Sequence, residues 1–228
     1  MIVDGRQWGS FLVVRLIGLL LWVCWTASPA AADDDAWQLL ATARAEFELG
    51  GWSADFVQTY LPAGFSSGES ESGVVSLRLP HALRWDYALP YAKAFLVLRD
   101  TAYAWNPGEA AGRRVLLEAA EREHLSLLEL DVEALRERYA AEFVDGQDAG
   151  SQRDGTENKV VRIELVPFNE TSEVRRADLA LDRASLRLLA LSYSDPEGNT
   201  TEFALSGHRT ADDDALYEPP AGLEWIDE

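Results

Sequence analysis

Cysteine, histidine and basic residues are scarce in this chain of 228 residues. It has one cysteine and three histidines, and 20 lysines and arginines stand against 39 aspartates and glutamates, which gives a formal net charge of −19. A single cysteine excludes an internal disulfide framework. The acidic balance disfavours nucleic acids and anionic membrane surfaces as partners, because both attract basic patches. A hydrophobic content of 47% still allows a sizeable core.

Catalytic and metal-binding motifs are also missing. His81, His124 and His208 have no second histidine or carboxylate at the spacing of a zinc site. The aspartate triplets at 33–35 and 212–214 lack the alternating ligands and the glycine of an EF-hand loop. No Walker loop or dinucleotide fingerprint occurs. We therefore expect no cofactor, no metal and no enzymatic activity, with a secreted enzyme that uses a dispersed carboxylate pair as the weaker alternative.

The first 32 residues have the pattern of a secretory signal peptide. Arg6 and Arg15 supply positive charge, residues 16–25 form an apolar run that is short for a membrane span, and three alanines ending at Ala32 match a cleavage site. We predict cleavage near Ala32, export to the periplasm and one domain over residues 33–228. The alternative is an uncleaved N-terminal anchor.

The cysteine lies inside this predicted signal segment. Cys24 follows Val23, whereas a lipoprotein signal has a small residue directly before its cysteine. We therefore expect no lipid anchor on Cys24. After cleavage, the predicted domain contains no cysteine.

The periodicity of the apolar residues predicts a mainly β chain with few helices. Helical spacing covers residues 37–47 and 125–135. Six short alternating segments lie between residues 52 and 116, and about five more follow the second helical stretch. A tail with two prolines and a glycine, residues 215–228, is predicted to be irregular. An antiparallel sheet of about eleven strands is too large to stay flat, so we expect it to curl toward a barrel that the helices cover.

One predicted strand, ALRWDYALP at 82–90, has an unusually large apolar face. Leu83, Trp85 and Tyr87 alternate with Arg84 and Asp86, and successive side chains of a strand point to opposite faces. The apolar face either belongs to a filled core or lines a cavity for an apolar ligand. The sequence leaves both interpretations open.

Four segments, in this order, resemble the periplasmic outer-membrane lipoprotein carrier family, LolA. They are FVQTY after the first helix, GVVSLRLPHALRWDYALP, FLVLRDTAYAWNP and YEPPAGLEW near the end. The resemblance extends from Asp33 to Trp225. It implies the α+β, mainly β fold of this family, an unclosed antiparallel β-barrel with a helical lid over an apolar cavity.

The resemblance also implies a function. Members of the family carry acylated lipoproteins from an inner-membrane ABC-type release complex to an outer-membrane lipoprotein receptor. We therefore expect a monomeric periplasmic carrier that binds acyl chains in its cavity. A divergent paralogue that binds another lipid, or that senses mislocalised lipoproteins, is the alternative. A tethered receptor of the same fold is disfavoured because Val23 precedes Cys24.

By this resemblance, several residues are candidates for the site. The expected cavity residues are Leu83, Trp85, Tyr87, Phe95, Val97, Tyr103 and Trp105. The expected lid residues are Trp37, Leu40, Phe47, Leu125 and Leu128.

One position departs from the family pattern. The family usually has an arginine directly before the proline that precedes the Trp85 strand, and this arginine holds the lid by hydrogen bonds. Here that latch position is Leu79, and Arg78 comes one residue earlier. A shift of one residue reverses the face of a strand, so Arg78 is not expected to replace the family arginine. We expect closure of the lid to depend on apolar contacts instead.

Overall fold

The computed structural model describes residues 29–48, 50–80, 82–118, 127, 129, 131–144 and 159–227. Helix α1 covers Pro29–Phe47, and the short helix α2 covers Val132–Arg136. The predicted signal segment, including Cys24, lies outside the described residues up to position 28. Helix α1 begins at Pro29, and proline is a favoured first residue of a helix.

Twelve strands form the described part of the sheet. They are β1 Trp52–Leu61, β2 Glu69–Arg78, β3 Ala82–Leu89, β4 Lys93–Leu98, β5 Thr101–Trp105, β6 Ala111–Leu116, β7 Tyr139–Phe143, β8 Val160–Pro167, β9 Arg176–Asp182, β10 Leu188–Ser194, β11 Thr200–Thr210 and β12 Glu224–Asp227. A 3₁₀ helix, Asp214–Tyr217, precedes β12.

The strands form one unclosed sheet in the order β12-β6-β5-β4-β3-β2-β1-β11-β10-β9-β8-β7. All neighbouring strands are antiparallel except β6 and β12, which are parallel. The predicted fold class, a mainly β chain with an open antiparallel sheet and few helices, is confirmed. The prediction of an irregular tail is wrong for Glu224–Asp227, because the chain is extended again after the break at Pro219, Pro220 and Gly222.

Helix α1 packs on one face of this sheet, which we call the inner face. Trp37 and Leu40 of α1 are buried in the same core cluster as Leu83 of β3 and Leu191 of β10. The sheet curls around this cluster, since the Trp85 ring of β3 contacts a ring on β11 although β2 and β1 lie between the two strands. The curl leaves β7 and β12 as separate edges.

The 3₁₀ helix is fastened to the opposite, outer face. Arg78 donates from Nη1 to Asp214 at 2.6 Å and lies 4.1 Å from the centroid of the Tyr217 ring. The buried Tyr217 hydroxyl is 2.9 Å from the carbonyl oxygen of Ala211 and 3.3 Å from that of Leu77. Arg78 therefore lies on the outer face, as the strand alternation predicted.

Tyr217→Phe is expected to lower the free energy of unfolding by about 1 kcal/mol, because it leaves a buried carbonyl with one fewer donor. Urea denaturation measures the change. Tyr91→Phe, in an exposed turn, is the matched control and should change stability by less than about 0.5 kcal/mol. Equal losses in the two variants would mean that the Tyr217 hydroxyl does not stabilise this segment.

Candidate functional site

Five aromatic rings from β1, β3, β4 and β11 meet on the inner face. We call them the aromatic floor; they are Phe56, Trp85, Tyr87, Phe95 and Phe203. Tyr87 meets Phe56 and Phe95 edge to face, with ring centroids 4.9 and 5.8 Å apart. Phe203 lies 6.3 Å from Phe56 and 6.4 Å from Trp85. These separations are those of favourable aromatic pairs, so the floor is a continuous apolar surface.

Gly73 of β2 allows the rings of β1 and β3 to meet. The strand register aligns Phe56, Gly73 and Tyr87 in one row across the three strands. Because Gly73 has no side chain, the two rings close over it. A β-carbon at this position would collide with the carbonyl oxygen of Asp86.

The floor is buried at one end and accessible at the other. Trp85 and Phe203 are 8% and 6% exposed, whereas Phe95 is 38% exposed. Beneath the buried end lies a cavity of about 10 Å³, the space of roughly one water molecule. Its lining residues are Trp52, Val75, Leu77, Leu83, Trp85, Leu188, Phe203 and Leu205. Among the described residues, the buried end of the floor is therefore closely packed in this conformation, and the end at Phe95 is accessible.

A cluster of polar side chains borders the accessible end of the aromatic floor. Lys93 Nζ donates to both carboxylate oxygens of Glu71, at 2.7 and 2.9 Å. The Tyr87 hydroxyl donates to Gln58 Oε1 at 2.6 Å. We call Gln58, Glu71, Tyr87 and Lys93 the polar rim. Burial, followed by the nearby Glu71 carboxylate, raises the pKa of Tyr87 above its ordinary value, so its hydroxyl stays protonated and able to donate.

Five of the predicted cavity residues lie on the inner face. The β3–β4 register pairs Leu83 with Val97 and Trp85 with Phe95, and Tyr87 shares their face. Leu83, Trp85 and Val97 belong to the buried core cluster, and Tyr87 packs against it. The contribution of these residues to ligand binding stays a prediction.

The other two predicted cavity residues, Tyr103 and Trp105, lie on the outer face. They pack against Trp225 of β12, with centroid distances of 5.1 and 6.1 Å. The β4–β5 register instead places the intervening Ala104 and its neighbour Ala102 on the inner face. The prediction that Tyr103 and Trp105 share a face with Trp85 is therefore wrong. They anchor the C-terminal strand instead.

The predicted lid is described only in part. Trp37 and Leu40 of α1 are almost completely buried. The side chain of Phe47, and both Leu125 and Leu128, lie outside the described residues. The neighbouring Leu127 is described and is fully buried in the core cluster, a position that the helical spacing did not predict.

Helix α1 is also tied to the segment before α2 by a polar contact. Arg44 Nη1 donates to the carbonyl oxygen of Glu129 at 3.1 Å, and Arg44 Nε donates to Glu48 at 3.1 Å. Asp131 caps α2 by accepting a hydrogen bond from the Ala134 backbone. Contact between these two helical elements thus includes a charge-assisted hydrogen bond in addition to the apolar packing that the sequence predicted.

The described ranges contain neither a cluster of potential metal ligands nor a helix suited to span a membrane. No group of three or more potential metal ligands comes together among these residues. Within these ranges, no helix combines the length and the apolar character needed to span a membrane.

The comparisons with known proteins agree with the architecture. The family described as outer membrane lipoprotein carrier protein LolA matches residues 48–217. The chain belongs to the LolA family. The matched region includes all five rings of the aromatic floor and all four residues of the polar rim, and it ends before β12. No curated protein sequence matches the chain.

Three solved structures are similar to this LolA-family chain. An uncharacterised conserved protein from Thermus thermophilus has 8% identity and a TM-score of 0.53, with 84% of this chain and 98% of that one covered. MucB has 15% identity and a TM-score of 0.51, with 84% and 65% covered. A LolA superfamily protein from Nitrosomonas europaea has 11% identity and a TM-score of 0.43, with 81% and 98% covered. The first two likenesses show the fold alone.

The latch position differs from the usual LolA pattern in its residue type. Leu79 is buried in the core cluster, and Arg78 holds the 3₁₀ helix on the outer face. A leucine side chain has no hydrogen-bond donor. Arg44, which belongs to α1 and not to the sheet, donates to the carbonyl oxygen of Glu129 in the segment before α2.

Arg44→Met is expected to weaken the attachment of α1 to the segment before α2 by about 1 kcal/mol. The substitution removes the hydrogen bond to Glu129 while keeping an apolar side chain. Hydrogen exchange of the α1 amides should become several-fold faster than in the unsubstituted protein. The control is Thr42→Ala, on the exposed side of the same helix. Equal exchange rates in Arg44→Met and Thr42→Ala would show that Arg44 does not hold the two elements together.

Sequence reasoning missed Phe56, Phe203 and three rim residues: Gln58, Glu71 and Lys93. Phe56 and Gln58 alternate within WSADFVQTYL, so their common face was visible. Glu71 and Lys93 lie 22 residues apart in the chain, and their contact depends on the registers of three strands.

Proposed function

We propose that this protein is a periplasmic carrier that binds the acyl chains of lipoproteins on its inner face and shuttles them from the inner to the outer membrane. The observation that carries the proposal is the aromatic floor. It is a continuous apolar surface that extends from a packed interior to a ring, Phe95, that is more than one-third exposed. Membership of the LolA family supports the same function.

The energetics of the cargo explain why such a surface is needed. Each methylene buried from water contributes about 0.8 kcal/mol. Three acyl chains of roughly fifteen methylenes each would therefore cost on the order of 35 kcal/mol to expose. Free diffusion through water is ruled out at that cost. A carrier has to cover these chains with apolar residues and release them without covalent chemistry, so the proposed activity is not enzymatic.

The closed interior implies that the carrier changes conformation when it loads. A cavity of about 10 Å³ is much smaller than one acyl chain. Binding therefore separates the β3 side of the floor from the β11 side, displaces α1, or does both. We propose an inner-membrane ABC-type release complex as the partner that loads the protein, and an outer-membrane lipoprotein receptor as the acceptor.

The direct test is binding of a synthetic triacylated lipopeptide to the purified protein, detected by native mass spectrometry. A one-to-one complex is expected, and the same peptide without acyl chains should not bind. A second measurement follows transfer of the bound lipopeptide to outer-membrane vesicles. If the protein does not bind the lipopeptide, the proposed function is wrong.

A second candidate function is the carriage of a diacyl lipid instead of a lipoprotein. The leucine at the latch position favours this function. Leu79 departs from the residue that LolA proteins usually have there, which is consistent with a divergent cargo. Phospholipid bound to the protein as isolated, with no binding of the lipopeptide, would support this alternative over lipoprotein transport.

A further inference from the structure

The strand registers place all four residues of the polar rim on the inner face. The β1–β2 register pairs Gln58 with Glu71, and the β3–β4 register pairs Tyr87 with Lys93. Cross-strand partners lie on the same face of a sheet, so all four side chains stand beside the aromatic floor. They are half-buried, and Lys93 Nζ lies 4.5 Å from the centroid of the Tyr87 ring and 5.9 Å from that of Phe95.

We propose that the polar rim is a subsite for the ester and amide carbonyls at the junction between the acyl chains and the headgroup of a diacylglyceryl ligand. This inference deepens the proposed function and rests on it. The acyl chains then extend from the rim across Phe95 toward the buried end of the floor, at Trp85 and Phe203.

The chemistry of the rim fits neutral acceptors. An ammonium group has three N–H donors, and Lys93 directs two of them to the oxygens of Glu71. Gln58 Oε1 accepts the hydrogen bond from the Tyr87 hydroxyl, which leaves the amide N–H groups of Gln58 as donors. Because Glu71 neutralises the charge of Lys93, the rim offers hydrogen-bond donors without net positive charge. Ester and amide carbonyls match this arrangement better than a phosphate or a free carboxylate does.

Stability alone does not account for the ion pair. Partly exposed ion pairs contribute little to folding, and this pair stands beside an apolar surface where unpaired groups would be costly. A groove of about 370 Å³ begins at Lys93 and Phe95 and continues along β5 and β6 past Ala104 to Ile226. It gives the headgroup a path away from the floor once the carbonyls are held at the rim.

The test uses the double variant Lys93→Met/Glu71→Gln, which removes both charges and leaves neither partner unpaired. Three ligands are compared by titration: a dipalmitoyl-S-glyceryl lipopeptide, dipalmitoyl phosphatidylcholine, and N-phenyl-1-naphthylamine, an apolar probe without a carbonyl group. Binding of the ester ligands is expected to weaken about tenfold, the effect of losing one charge-assisted hydrogen bond. Binding of the probe should change less than about twofold.

The two ester ligands identify the source of the carbonyl chemistry. Equal weakening of both assigns the rim to the glyceryl esters, and weakening confined to the lipopeptide assigns it to the amide end of a lipoprotein. Unchanged binding of both, by a variant that still folds, overturns the subsite but leaves the proposed function standing. Equal weakening of all three ligands also overturns it, because the floor itself would then be disturbed. Failure of the unsubstituted protein to bind either ester ligand refutes the proposed function itself.

Two further variants keep the result interpretable. Lys93→Arg retains the charge and the donors, and should bind the ester ligands with an affinity within about threefold of that of the unsubstituted protein. Arg209→Gln/Asp55→Asn removes a cross-strand ion pair, 3.0 Å long, from the outer face, and is expected to leave all three affinities unchanged. Circular dichroism and thermal unfolding confirm that each variant is folded. If Lys93→Met/Glu71→Gln is unfolded, Tyr87→Phe, which removes the hydroxyl bonded to Gln58, provides the same comparison.

Discussion

Leu83→Glu is expected to destabilise the protein by about 4 kcal/mol or more, a large share of the roughly 5–15 kcal/mol by which a typical domain is stable. Leu83 is 1% exposed and lines the cavity of about 10 Å³. A carboxylate there replaces apolar packing, and space for about one water molecule is too little to solvate it. Urea denaturation followed by circular dichroism measures the loss.

Ala88→Glu is the matched control because it places the same charge on the exposed end of the same strand. It should change the free energy of unfolding by less than about 0.5 kcal/mol. If Leu83→Glu folds with an unchanged urea midpoint, the interior admits water, and residue 83 lines an open cavity instead of a packed core. This pair of variants therefore decides between the two interpretations that the sequence left open.

Phe95→Asn is expected to weaken binding of a triacylated lipopeptide by about tenfold or more while the fold persists. The side chain is 38% exposed, so its loss costs folding only part of the 1.5–3 kcal/mol that full burial of a phenylalanine contributes, about 1 kcal/mol. Binding loses the whole apolar contact of the ring, and a desolvated amide without a partner opposes the acyl chain. Titration of the lipopeptide against the folded variant measures the effect.

Phe65→Asn is its control, since Phe65 is an exposed phenylalanine in the loop between β1 and β2, outside the aromatic floor. Its affinity for the lipopeptide should match that of the unsubstituted protein. If Phe95→Asn binds as tightly as Phe65→Asn, the accessible end of the floor does not contact the cargo. The site would then have to lie elsewhere on the protein.

The alternation of residues in single strands was a sound guide to the inner face. Leu83, Trp85 and Tyr87 share a face because side chains alternate along any strand. Phe95 and Val97 join them because Tyr87 pairs with Lys93, so odd-numbered residues face odd-numbered ones across the β3–β4 hairpin.

The error at Tyr103 and Trp105 arose in the next hairpin. Leu98 pairs with Thr101 across a two-residue turn, Arg99-Asp100, so Val97 faces Ala102 and odd-numbered residues face even-numbered ones. The sequence predicts a two-residue turn at this position. A two-residue turn places Tyr103 and Trp105 on the face opposite to Trp85. The correct facing of both residues therefore follows from the sequence alone.

The sequence by itself determined the mainly β fold, the apolar face of β3 and the family, because local periodicity and short motifs carry that information. The tertiary structure alone decided that the interior is closed, that Arg44 reaches Glu129, and that Glu71 meets Lys93 beside the aromatic floor. These features depend on how far a twelve-stranded sheet curls and on the registers of strands distant in the chain. Such registers are set by the packing of the whole core, and no short segment of the sequence encodes them.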